Sequence, residues 1–121
     1  MFISGATGIH AASINGFFDP TQEEGPDGRV LYRKRGNANV CIERSTNDTW
    51  QIKPVSSKGG NSCWAHSGHY HHLSYLLDDG YRTLQACTSL AWMVADGEKF
   101  SKAPGVKIVT EAEVSCCCMR S

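Results

Sequence analysis

Three stretches decide the fold class: Arg29-Val30-Leu31-Tyr32-Arg33-Lys34, Val40-Cys41-Ile42-Glu43-Arg44 and Thr49-Trp50-Gln51-Ile52-Lys53. Side chains alternate in each. Val30 and Tyr32 oppose Leu31 and Arg33, Val40 and Ile42 oppose Cys41 and Glu43, and Trp50 and Ile52 oppose Gln51 and Lys53. A period of two predicts strands with one face turned to a core. The loop Arg35 to Asn39 is short enough to join the first two as a hairpin. Pro54 brings no N–H to a ladder and is expected to end the third.

Outward from this block, Ala91 to Ala95 runs into Asp96-Gly97, the strongest hairpin signal in the chain. Val106 to Thr110 reads as a late strand. Turn signals recur at Gly5–Gly8, Asn15-Gly16, Pro26-Asp27-Gly28, Gly36-Asn37, Asn47-Asp48, Lys58 to Asn61, Asp78 to Gly80 and Pro104-Gly105. That spacing, about 8–12 residues, belongs to all-β sandwiches and barrels. No stretch holds a 3.6-residue apolar period long enough for a substantial helix. The expectation is an all-β domain, a small antiparallel sandwich or barrel of short strands. It covers residues 1–121, with 66–80 as a His-rich loop insertion and 111–121 as a tail. Val30, Tyr32, Val40, Ile42, Trp50, Ile52 and Trp92 are expected in one core. Gly16 and Gly97, each after Asn or Asp, are expected at positive φ in type I′ turns.

At 121 residues and 13.2 kDa the chain has the size of one domain. Twelve Lys and Arg balance twelve Asp and Glu, so no whole-protein charge steers it toward nucleic acid or an anionic membrane. The longest apolar run, Leu90 to Ala95, falls far short of the roughly 20 residues of a membrane span. Met1 to Phe18 holds no Lys or Arg, unlike the charged start of a secretory leader. Locally the charges separate: Asp19 to Asp27 is acidic, whereas residues 29–58 are mostly basic. An internally complementary surface is the expected use of that contrast.

Six cysteines occur, at 41, 63, 87, 116, 117 and 118. Three are consecutive, which fits disulfide geometry poorly. Reduced thiols and a cytoplasmic location are expected, with a Cys41–Cys63 bridge as the alternative.

Four of five histidines crowd residues 66–72. Cys63 and His66 have the spacing of a chelating pair, and His69 and His71 would share one side of an extended segment. Cys63, His66, His69 and His71 are therefore the candidate zinc ligands. The competing and preferred reading is a polar insertion whose imidazoles face water. Ser4-Gly5-Ala6-Thr7-Gly8 imitates the glycine-rich turn of short-chain dehydrogenases, which places backbone N–H groups on a pyrophosphate. Its context fails, because Asn15-Gly16 soon interrupts any following helix. Cys118-Met119-Arg120-Ser121 outlines a prenylation box. Arg120 stands where an aliphatic residue is usual, and Glu111 and Glu113 replace helpful bases upstream, so lipid anchoring at Cys118 is not expected. No catalytic residues are assigned. Neither paired carboxylates nor a placed nucleophile and base stand out.

Several stretches together resemble a β-rich repeat domain of unknown function found in large proteins of algae and other protists. They are Ser4 to Gly8, Ile14-Asn15-Gly16-Phe17-Phe18, Gly28 to Lys34, Cys41-Ile42-Glu43, Trp50-Gln51-Ile52-Lys53, Trp92 to Phe100 and Pro104 to Thr110. The resemblance implies a module used in tandem for interaction and carries no activity with it. The functional expectation is a non-catalytic interaction module for a protein or glycan partner. A small zinc protein built on Cys63 to His72 is the alternative, and a small enzyme of unassigned class the third reading.

Overall fold

The structure, a computed structural model, describes residues 1–68, 92–97 and 99–109. The strands are β1 (Phe2–Ser4), β2 (Gly16–Glu24), β3 (Val30–Lys34), β4 (Asn37–Arg44), β5 (Trp50–Pro54), β6 (Ala65–Ser67), β7 (Trp92–Asp96), β8 (Lys99–Lys102) and β9 (Lys107–Val109). One four-residue helix, α1 (Ala11–Ile14), lies between β1 and β2. The strands form one antiparallel sheet in the order β8-β7-β6-β5-β4-β3-β2-β1-β9. From β1 to β8 this is a meander; only β9 leaves it, crossing to pair with β1. Residues 103–106 make that crossing, and the step from Lys102 to Lys107 reaches at most about 18 Å. The two edges of the sheet are thereby drawn together, and the sheet curls into a half-barrel.

Register explains the core. Tyr32, Ile42, Ile52, Ala65 and Val94 pair successively across β3 to β7 and form one row on the inner face. Val40, Trp50 and Trp92 flank that row, and Ile3, Ile14, Phe18, Val106 and Ile108 close it from the opposite side. Each such burial contributes about 1.5–3 kcal/mol. Five of the seven expected core residues, Val40, Ile42, Trp50, Ile52 and Trp92, are in this cluster, and Tyr32 packs against it. Val30 is not: it is 42% exposed, whereas Leu31 is fully buried. Val30 is the first residue of β3 and pairs with Glu24 at the far end of the β2–β3 ladder, beyond a register irregularity whose extra residues lie in β2, outside the cluster that buries the rest of the row.

Other expectations shift. β4 begins at Asn37, which shortens the first hairpin loop to Arg35-Gly36; Gly36 takes φ +84° and a register shift at Lys34 absorbs the difference. Gly97 and Gly16 both have positive φ, +72° and +135°. Gly97 opens a two-residue hairpin loop, since Asp96 pairs with Lys99. Gly16 is in no type I′ turn: Asn15 before it is extended, and Gly16 turns the chain from α1 into β2. β2 itself lacks apolar alternation. β1 meets β2 only at Gly16 and Phe17, with the Phe18 N–H donating to the Met1 carbonyl, so among the described residues β2 beyond Phe18 is paired on one side alone, where Pro20 is tolerated. The expected loop insertion starts too early. His66 and Ser67 belong to β6, held by the Trp50 N–H donating to Ser67 Oγ at 2.9 Å. Residues 69–80 of that insertion and the 111–121 tail lie outside the described residues.

Candidate functional site

The acidic and basic stretches meet because β2, β3 and β4 are adjacent. Arg33 and Lys58 both bind Glu23, Arg35 binds Asp19, and Arg44 binds Asp27 at 2.6 Å. The Arg35 hydrogen bond holds the Asp19 carboxyl below its usual range, and Lys58, then Arg33, do the same for Glu23. Both carboxylates are exposed, so stability linked to them is present above the usual carboxylate range, is lost as pH falls, and is screened by water. The basic stretch is matched by acids rather than presented as a phosphate-binding face.

The outer face of β4 and β5 carries a second pairing of another kind. Lys53 and Glu43 are completely buried there. Lys53 Nζ donates to Glu43 Oε2 at 2.6 Å and to the Gly60 carbonyl at 2.7 Å, and the Gly59 N–H donates to the same Oε2 at 2.8 Å. Among the described residues Glu43 Oε1 is buried without a partner. Two pieces of chain cover the pair. The β2–β3 turn folds over β4 so closely that a Cβ on Gly25 would lie 3.2 Å from Glu43 Cβ and from the Arg44 carbonyl. Residues 58–60 cover it from the other side. Between them opens a shallow cavity of about 290 Å³, lined by Glu24, Gly25, Pro26, Glu43, Lys58 and Gly59.

The seam where the sheet edges approach holds the other feature. The Ser4-to-Gly8 loop follows β1, with Gly5 and Gly8 at φ +88° and +91°. Asn15 clamps it by bonding both the N–H and the carbonyl of Ala6, at 3.0 and 2.9 Å. No dinucleotide cradle results, since a single helical turn and an antiparallel strand follow. Instead the loop faces β7 and β8 across a cleft of about 290 Å³, lined in part by Thr7, Gly8, Asp96, Ser101 and Lys102. Along this cleft runs β8, which among the described strands pairs only with β7 and is exposed at all four residues. The Ala103 N–H donates to the Trp92 carbonyl. With the β7–β8 register, that bond turns the N–H and C=O of Phe100 and Lys102 away from β7, toward the open edge.

The expected zinc ligands are placed in part. His66 lies on the outer face, its Nδ1 2.9 Å from the Ser67 carbonyl and its ring 4.9 Å from that of Phe100. Cys63 is a half-buried free thiol whose pKa burial raises, against smaller opposing effects of Lys53 and an Ala65 backbone bond. His69 and His71 lie outside the described residues, among which no group of three or more metal-binding side chains forms. Cys41 is also free, so the alternative bridge to Cys63 is absent; burial, and then the Glu43 charge, push its thiol up to about 11. No described helix is long and apolar enough to cross a membrane. Sequence reasoning passed over Glu43, Lys53, Phe100 and Lys102. The only signal for the first two was a charged residue at mid-strand, which reads equally as a solvated face. Comparison with family models, curated proteins and solved structures yields no match.

Proposed function

We propose that this chain is a non-catalytic interaction module that binds an extended segment of a partner protein along the open edge of β8. The carrying observation is the outward-facing backbone of Phe100 and Lys102 on a strand exposed at all four residues. A free edge offers ladder hydrogen bonds to an added strand, and neighbouring side chains set its sequence preference. Phe100, 42% exposed, offers an apolar contact. Lys99 and Lys102 favour acidic residues on the incoming strand. A glycan as principal partner is less well supported, because Trp50 and Trp92 are buried and Trp64 stacks on His10. Burial keeps the thiols of Cys41 and Cys63 protonated, the reverse of an activated nucleophile.

Selection from a displayed random-peptide library, followed by calorimetry, tests the proposal. Selected peptides should contain acidic residues and protect the Phe100 and Lys102 amides from exchange. Lys102→Pro removes one outward N–H without touching the β7 ladder, and should weaken binding by at least about tenfold. Peptides that bind this variant as tightly as wild type would overturn the edge-strand reading.

A further inference from the structure

We propose that the occupant of the β8 edge is a second copy of this chain, which lays its segment Thr110-Glu111-Ala112-Glu113-Val114 antiparallel along Phe100 to Lys102. The inference rests on the edge-strand reading above and names the partner of that same site. Charge is the first observation. Lys102 pairs in register with Met93, and Met93 with His66, so no acid stands opposite Lys102 on β7. The acids of 19–27 are taken elsewhere, by Arg33, Arg35, Arg44 and Lys58. Glu111 and Glu113 stand two residues apart, so an extended chain carries both on one side.

The second observation is the match of spacing. Phe100 and Lys102, whose backbone groups face outward, are also two residues apart, and each exchanges both its hydrogen bonds with the residue directly opposite on an added antiparallel strand. With Glu111 opposite Lys102, Glu113 falls opposite Phe100 and diagonal to Lys102, within reach of a long side chain. Ala112 then faces Ser101, where the cleft beside β8 receives a small side chain. Neither Pro nor Gly interrupts residues 110–114. Direction is the third observation, and it selects a second copy over the chain's own tail. Every pairing in the sheet is antiparallel, so β8 and β9, eight pairings apart, run the same way. Val109 is held to Phe2 on β1, and Thr110 alone separates it from Glu111. A tail that continues β9 has no room to reverse onto its own β8. Pairing β8 with a second β8 would instead bring two more lysines to the same edge.

The test is sedimentation velocity of the full chain from about 10 μM to 1 mM, in a thiol reductant that keeps Cys116, Cys117 and Cys118 from linking copies. The mean mass should rise with concentration, and the amides of Phe100 and Lys102 should exchange more slowly at the upper end. Lys102→Glu, at an exposed position, should weaken association at least about tenfold, and so should Glu111→Lys combined with Glu113→Lys. An equal mixture of these two proteins should associate again, because the reversed edge of one meets the reversed tail of the other. The proposal is overturned if the wild type stays monomeric throughout, if association leaves those two amides unprotected, if either variant associates as tightly as wild type, or if the mixture does not recover. A monomeric chain whose edge still takes library peptides in a Lys102-dependent way would refute this occupant and leave the edge-strand reading standing. Peptide binding indifferent to Lys102→Pro would remove both.

Discussion

On the inner face of β4 and β5, Val40, Ile42, Trp50 and Ile52 are buried; on the outer face of the same strands, Cys41, Glu43, Gln51 and Lys53 are buried to the same degree. The two faces reach equal dryness by different routes. The inner one is covered because the sheet curls, and its side chains need only fill volume. The outer one is covered by a turn and a loop, and each polar atom there needs a partner. Glu43 Oε1 and Gln51 Oε1 lack one among the described residues. Burial on the inner face is therefore a source of stability, whereas on the outer face it depends on a matched charge pair and an intact cover.

The largest test of this contrast is on the inner face. Trp50→Ala removes a side chain 2% exposed and should cost up to about 5 kcal/mol. That is comparable with the whole stability of many small domains. Urea unfolding should show the midpoint collapse; an unchanged midpoint would mean that Trp50 lies outside the core.

On the outer face the response should depend on the partner. Glu43→Ala strands the Lys53 ammonium and should cost about 3 kcal/mol. Glu43→Leu combined with Lys53→Met removes both charges and should recover most of that loss. Equal losses in the single and double variants would show that volume, not charge matching, governs this face.

The cover is tested more gently by Gly25→Ala. The new methyl would press on the Arg44 carbonyl and Glu43 Cβ, each 3.2 Å away, at a cost of about 1–2 kcal/mol. Faster amide exchange at Gly59, whose N–H reaches Glu43, should accompany it. Exchange unchanged there would separate the β2–β3 turn from the cover over the charge pair.

An effect confined to alkaline pH concerns Cys41. Its thiol rises from an ordinary 9.0 to about 11 in the folded state. The folded chain then holds a proton that the unfolded chain releases, so stability is full below pH 9 and falls as pH rises toward 11. Denaturation at both pH values should show a shallower alkaline loss in Cys41→Val. An identical loss in the two proteins would place the thiol in contact with water.

Much of the inner face was legible in the alternation of Val40 to Arg44 and Thr49 to Lys53, because a strand's side chains must switch sides at every residue. Asp96-Gly97 marked a hairpin for a similarly local reason. β2, β6 and β8 were not legible. Gly16 to Glu24 holds Pro20 and three acids, β6 has three residues, and β8 shows no apolar face. Such segments become strands only because a neighbour of fixed register pairs with them. The candidate sites shared that fate: Phe100 and Lys102 matter through the direction of their backbone groups, which depends on the β7 register.

By itself, then, the sequence determined which side of each central strand a residue occupies, where the chain turns, and that acids at 19–27 had bases at 29–58 to answer them. Only the tertiary structure decided what lies over each side. Alternation is local and states that Glu43 and Lys53 point away from the core. Whether they meet water or a lid depends on the Gly25-Pro26 turn and on Lys58-Gly59-Gly60, and where those segments come to rest is set by packing across the sheet rather than by any local pattern.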